Sequence, residues 1–144
     1  MQWLWDNLDL VLGLSLEHVR LSFFPIIISF IACIPLGQLA NRFRATRSIQ
    51  LTLFGILFTI PSLALFVTLP LVLNTRILDQ INVVVALSIY AIAIMVRGAA
   101  DAFESVSPDV LQSASAVGYS PRSRFWKVEL PLAGPVLLAN LRVV

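Results

Sequence analysis

The chain has 144 residues, 58% of them hydrophobic and 12% charged, with a formal net charge of +2 and a mean hydropathy of +0.90. A soluble domain of this size carries about a quarter charged residues, so a water-facing surface is excluded for most of the chain. One cysteine (Cys33) and one histidine (His18) leave nothing for an internal disulfide or a four-ligand zinc site. The small basic excess is explained by membrane topology, and no nucleic-acid partner is implied.

Residues 1–20 mix Trp3, Trp5 and a Leu/Val pattern with Asp6, Asp9 and Glu17. Tryptophan favours the lipid headgroup region, which predicts a helix lying along the outer surface before the first span and serving as an anchor. The start lacks the positive n-region of a cleaved signal peptide, so the first span is expected to remain in the mature protein.

Charge is absent from residues 21–41, from 49–74 and from 80–96. Each run approaches the roughly 20 apolar residues that cross about 30 Å of hydrocarbon, the third once residues 98–100 are added. In so short a chain, three such runs leave nothing to cover them if they were buried globular helices. The expectation is an all-α, multi-pass transmembrane helical bundle with spans at about 21–41, 49–73 and 80–100. Arg42, Arg44 and Arg47 follow the first span, and Arg97, Arg122, Arg124 and Lys127 follow the third. Lys/Arg excess marks cytoplasmic loops, which puts the N-terminus outside and residues 97–130 inside.

Pro25 and Pro35 fall in the first span, Pro61 and Pro70 in the second. Each removes a backbone donor, and kinked helices are tolerated in lipid where neighbours or hydroxyls satisfy the freed groups. Thr59 and Ser62 flank Pro61 and are placed to do so, with a flexible pore-lining helix and a static kink both open. Tyr90 and Phe66 read as lipid-facing or packing aromatics. No Asp, Glu, Lys, Arg or His lies deep within the three runs. Such residues mark ion and proton paths, so their absence argues against a proton-coupled pump. A fourth apolar segment starts near residue 132. The about 14 residues from Pro131 onward cover only about 21 Å, so this span is expected to be unfinished and the bundle incomplete at its C-terminus.

Between the third and fourth apolar segments lies a polar, basic run, residues 107–131. Ser107-Pro108-Asp109 is a helix start: an N-cap, a proline in the first turn and an acid beside the helix N-terminus. Val110, Leu111, Ala114 and Val117 follow at helical spacing, and Gly118 is the residue that ends such a helix in a left-handed conformation. Ser120-Pro121 repeats the start signal, and a second helix is expected to reach Leu130, before Pro131. The bland reading is an amphipathic segment packed on the spans. The sharper one is a docking lever, because Ser113, Ala114, Ser115 and Ala116 let a partner approach closely.

At these residues the chain resembles the permeases of binding-protein-dependent ABC importers. Their EAA loop reads E-A-A, three residues, G, nine residues, I-x-L-P. Gln112-Ser113-Ala114, Gly118 and Val128-Glu129-Leu130-Pro131 keep that spacing without a gap. Gln112 replaces the glutamate and Ser113 the first alanine, which removes a charged contact toward an ATPase. The runs Glu17-His18-Val19-Arg20-Leu21-Ser22, Ile34-Pro35-Leu36-Gly37 and Thr59-Ile60-Pro61-Ser62-Leu63-Ala64-Leu65 are similar to the glycine betaine/carnitine/choline (osmoprotectant) members.

The resemblance implies an ABC type-1 transmembrane domain over residues 1–144, with about five spans in a complete member. It also implies a cytoplasmic ABC ATPase, an extracytoplasmic substrate-binding protein and a second, identical or different, permease subunit as partners in the cell membrane. ATPase coupling would fall to Gln112, Ser113, Ala114 and Gly118, with Leu111 and Val117 anchoring the helix. The sequence has no G-x-x-x-x-G-K-[ST] phosphate loop, so ATP hydrolysis would belong to a partner and no cofactor is implied.

Three further readings stand beside this one. A membrane-embedded enzyme fails because His18 lies outside and Asp101 and Glu104 inside, so no catalytic set assembles. A truncated remnant or accessory membrane protein, and a permease for another small solute such as an amino acid, remain open.

Overall fold

Leu, Ile and Phe dominate the first third of the chain, and no residue before Pro25 forbids a helix. The computed structural model, which describes residues 2–77 and 79–144, accordingly holds a short α1 (Gln2–Asp6) and then one long α2 (Leu8–Arg42). The only joint is at Asn7, whose Nδ2 donates to the Trp3 carbonyl at 2.9 Å. The separate surface helix expected for residues 1–20 is therefore absent, and residues 8–20 extend the same helix as the first apolar run. Gly13 is the one weak helix former there, and its cost of about 1 kcal/mol does not break a helix of 35 residues. At 1.5 Å per residue α2 is roughly 52 Å long, well beyond the hydrocarbon thickness. Gln80 donates a hydrogen bond to Glu17 near the far end of α2.

The second apolar run does not form one kinked helix. It splits into α3 (Arg44–Thr59) and α4 (Ser62–Leu73), bent by 96° at Ile60 and Pro61. A residue before proline is pushed out of the helical region, and Ile60 and Pro61 both take extended ψ values, 126° and 128°. Thr59 donates to the Ile56 carbonyl at 2.7 Å, closing the last turn of α3.

α5 (Gln80–Glu104) is the centre of the bundle. Asp79 caps it by accepting from the Ile81 amide, while buried Asn82 accepts from Thr75 at 2.7 Å and donates to the Arg76 carbonyl at 2.8 Å. Small residues let α2 and α5 approach closely: Cys33, Gly37 and Ala40 face Val96, Ala99 and Ala100 in the buried core. A Cβ on Gly37 would sit 2.6 Å from the Ala99 Cβ and 2.8 Å from the backbone beyond it. On the other side Gly98 admits the Asn140 side chain, whose Nδ2 donates to the Met95 carbonyl at 2.9 Å. Arg47 joins α3 to the end of α5, donating to Asp101 at 2.8 Å and also to Glu104.

The chain then forms α6 (Pro108–Ala116), α7 (Pro121–Arg124), a π-helical turn (Phe125–Glu129), α8 (Leu130–Asn140) and a 3-10 turn (Leu141–Val143). The second short helix was expected to end before Pro131, but the helical run continues through it. The π turn makes this possible: the Leu130 amide reaches back five residues to the Phe125 carbonyl, and Pro131 falls in the first turn of α8, where a missing N–H costs little. All described elements are helical. Two are long and apolar enough to cross a membrane, or three counting the bent α3–α4 pair as one.

Candidate functional site

The hairpin α6–α7 forms where expected, although Ser107, read as the N-cap, makes no side-chain cap hydrogen bond. Pro108 opens α6, and Gly118 closes it with φ +95°, a conformation that side chains with a Cβ rarely adopt. The Tyr119 amide donates to the Ala114 carbonyl at 3.1 Å and the Gly118 amide to that of Ser115 at 3.0 Å, a paired closure that satisfies the last carbonyls. Ser120 then caps α7 by accepting from the Ser123 amide at 3.3 Å.

The six residues singled out from the sequence divide between two faces. Leu111 is partly buried and packs against the core with Phe125 and Leu130, and Ala114 is partly buried beside it. Gln112, Ser113, Val117 and Gly118 are exposed. Val117 is 79% exposed, so it does not anchor α6 to the bundle as expected; it stands with the outward group. A Cβ at Gly118 would meet nothing within 4 Å, so only its backbone conformation requires glycine.

Three residues whose contacts sequence reasoning did not find tie this hairpin to the rest. Arg124 donates from Nη1 to Ser115 Oγ on α6 at 2.8 Å and from Nε to Glu129 at 2.9 Å. The other Glu129 oxygen accepts from Gln38, near the C-terminal end of α2, at 3.4 Å. Phe125 lies 5.9 Å, centroid to centroid, from Phe103 of α5. Beneath the hairpin a cleft of about 320 Å³ is bordered by Gln38, Asn41, Arg42, Leu111, Arg124 and Glu129. Among the described residues no three His, Cys, Asp or Glu side chains come together to hold a metal.

α6 is a short helix with an exposed face, closed by Gly118 and set at one end of the apolar bundle. Residues 21–144 match the family described as "Binding-protein-dependent transport system inner membrane component". The chain belongs to this family. It is thus a multi-pass inner-membrane component of a transport system, all-helical, and not an enzyme.

Several distant curated relatives are named for the transport of choline, glycine betaine or carnitine. The choline transport system permease protein OpuBB of Bacillus subtilis is 28% identical over 142 residues, 99% of this chain and 64% of the relative. The glycine betaine/carnitine/choline transport system permease protein OpuCD of the same species is 30% identical, over 88% of this chain and 54% of the relative. The ergothioneine transport permease/ergothioneine binding protein EgtU of Helicobacter pylori is 31% identical, over 75% of this chain and 19% of that longer protein. The chain spans 64% or less of the length of each of these three relatives.

Proposed function

We propose that the chain is a permease subunit of an ATP-driven importer for osmoprotectants such as glycine betaine, choline or carnitine. It forms part of the membrane path and receives force from a separate cytoplasmic ATPase, while an extracytoplasmic binding protein delivers the solute and a second permease subunit, identical or different, completes the path. The domain is of the ABC type-1 kind over residues 1–144, with the N-terminus outside and residues 97–130 in the cytoplasm. The single observation that carries this reading is α6: a helix ended by Gly118 at positive φ, with Gln112, Ser113 and Val117 facing outward, in the family's unbroken spacing to Leu130-Pro131.

In this reading Leu111 and Ala114 seat α6 on the bundle, and Gln112, Ser113, Val117 and Gly118 meet the ATPase. Closure of the ATPases on ATP displaces the hairpin and tilts the helices as rigid bodies, alternating access. Selectivity among the solutes belongs mainly to the binding protein. A photo-crosslinker at Gln112 tests the assignment: it is expected to capture a cytoplasmic ABC ATPase. Capture of lipid alone, or labelling from the external medium, would refute it.

A second reading is a permease for another small solute. The similarity to EgtU, which is named for ergothioneine, favours keeping it. Uptake assays in cells lacking other osmoprotectant importers separate the two.

A further inference from the structure

α6 joins the rest of the chain through residues 105–107 and the Gly118 turn and seats on the bundle through Leu111, while the space where a Cβ of Gly118 would stand is open within 4 Å. Force applied to α6 through such a turn would bend the turn before it moved a helix. One chain of side chains crosses from α6 to α2 along the edge of the cleft: Ser115, Arg124, Glu129, Gln38. Its middle pair is sheltered, the side chains of Arg124 and Glu129 being 32% and 14% exposed. Arg124 uses two separate guanidinium nitrogens, so its planar fork fixes direction as well as distance. Arg124 and Glu129 are five residues apart, a spacing that separates side chains on an α-helix; the π turn over Phe125–Glu129 brings them together.

We propose that Arg124 and Glu129 are positioning residues for coupling: together they form a strut that holds α6 at a fixed attitude to α2. Displacement of the hairpin then reaches the long helices instead of being absorbed at Gly118. The proposal rests on the reading of α6 as the ATPase-docking helix. Neither residue belongs to the outward face of α6, and their function is to keep that face in place.

The test has two arms. In the first, the intact chain is purified into lipid nanodiscs with Cys33→Ala and spin labels at Leu39→Cys and Ala116→Cys, exposed positions on α2 and α6. The inter-label distance distribution is expected to be narrow, to broaden with Arg124→Gln or Glu129→Gln, and to broaden no further when both are changed, because the two act as one unit. In the second, the assembled importer is assayed for solute imported per ATP hydrolysed. Each single variant is expected to lower that ratio about fivefold or more, with insertion and ATPase co-purification retained, and the double variant to match the singles. An unchanged distribution in both single variants, or losses that add, would overturn the strut. Failure of the unmodified chain to capture the ATPase would instead overturn the docking reading, leaving the distance measurement to decide on the strut itself.

Discussion

The Tyr90 hydroxyl of α5 donates a hydrogen bond to the Ile60 carbonyl, the group left without a helical partner where α3 breaks from α4. The Phe58 ring stands edge-on to Tyr90 at 6.2 Å, so the break is held from α5 by one polar and one aromatic contact. An apolar-span tyrosine is thus a prop for an interrupted helix.

Tyr90→Phe keeps the ring and removes only the donor. We expect a loss of about 1 kcal/mol in stability, the net value of such a bond. Thermal unfolding in detergent measures it, and hydrogen exchange is expected to rise at the amides of residues 59–65. A variant as protected as the parent would show that the bond does not hold the break.

Gly37→Val should damage the fold, whereas Gly13→Ala should not. At residue 37 any added carbon meets Ala99 and its backbone, an overpacking that costs about 1–3 kcal/mol. At residue 13 nothing lies within 4 Å, and alanine favours the helix. Comparing the folded fractions after mild heating checks both in one experiment.

Gly118→Val imposes a β-branched residue on φ +95°, at about 1–3 kcal/mol of local strain. Under the proposed function, ATP-driven uptake falls while membrane insertion is retained. Gly118→Asn, which tolerates positive φ better, keeps more uptake. Equal uptake by the valine variant and the parent would remove the glycine from the coupling element.

Arg47→Gln leaves Asp101 and Glu104 without their shared cation on a half-exposed edge of the bundle. Exposed pairs of this kind contribute about 0.2–1 kcal/mol, so a small drop in stability is expected, reduced further in high salt. A salt titration of the parent and the variant separates this electrostatic loss from lost packing.

The hairpin helices, the Ser120 cap and the Gly118 closure were legible in the sequence because they follow from short-range rules: a cap, a proline, a glycine and apolar spacing. What escaped depended on longer-range or irregular geometry. The continuity of α2 through residues 8–20 escaped because charges and tryptophans near the start resemble a surface helix, although no breaker separates them from the span. The 96° turn at Ile60 was readable as a proline effect but not in size, since that is set by Tyr90 and packing on α5. The pairing of Arg124 with Glu129 was hidden by the arithmetic of 3.6 residues per turn, which puts residues five apart on different faces. Val117 fitted the apolar stripe on paper, yet the helix ends so close to it that it swings clear.

The seam at Gly37 bears on how this bundle moves. With main-chain atoms of α5 in the way of even one methyl group, α2 cannot roll against its neighbour here without a clash. A roll of one position would drive Leu36 or Gln38 into a space sized for hydrogen. The two helices therefore travel as a single beam, and bending must be borne elsewhere in the chain, first of all at the elbow formed by Ile60 and Pro61.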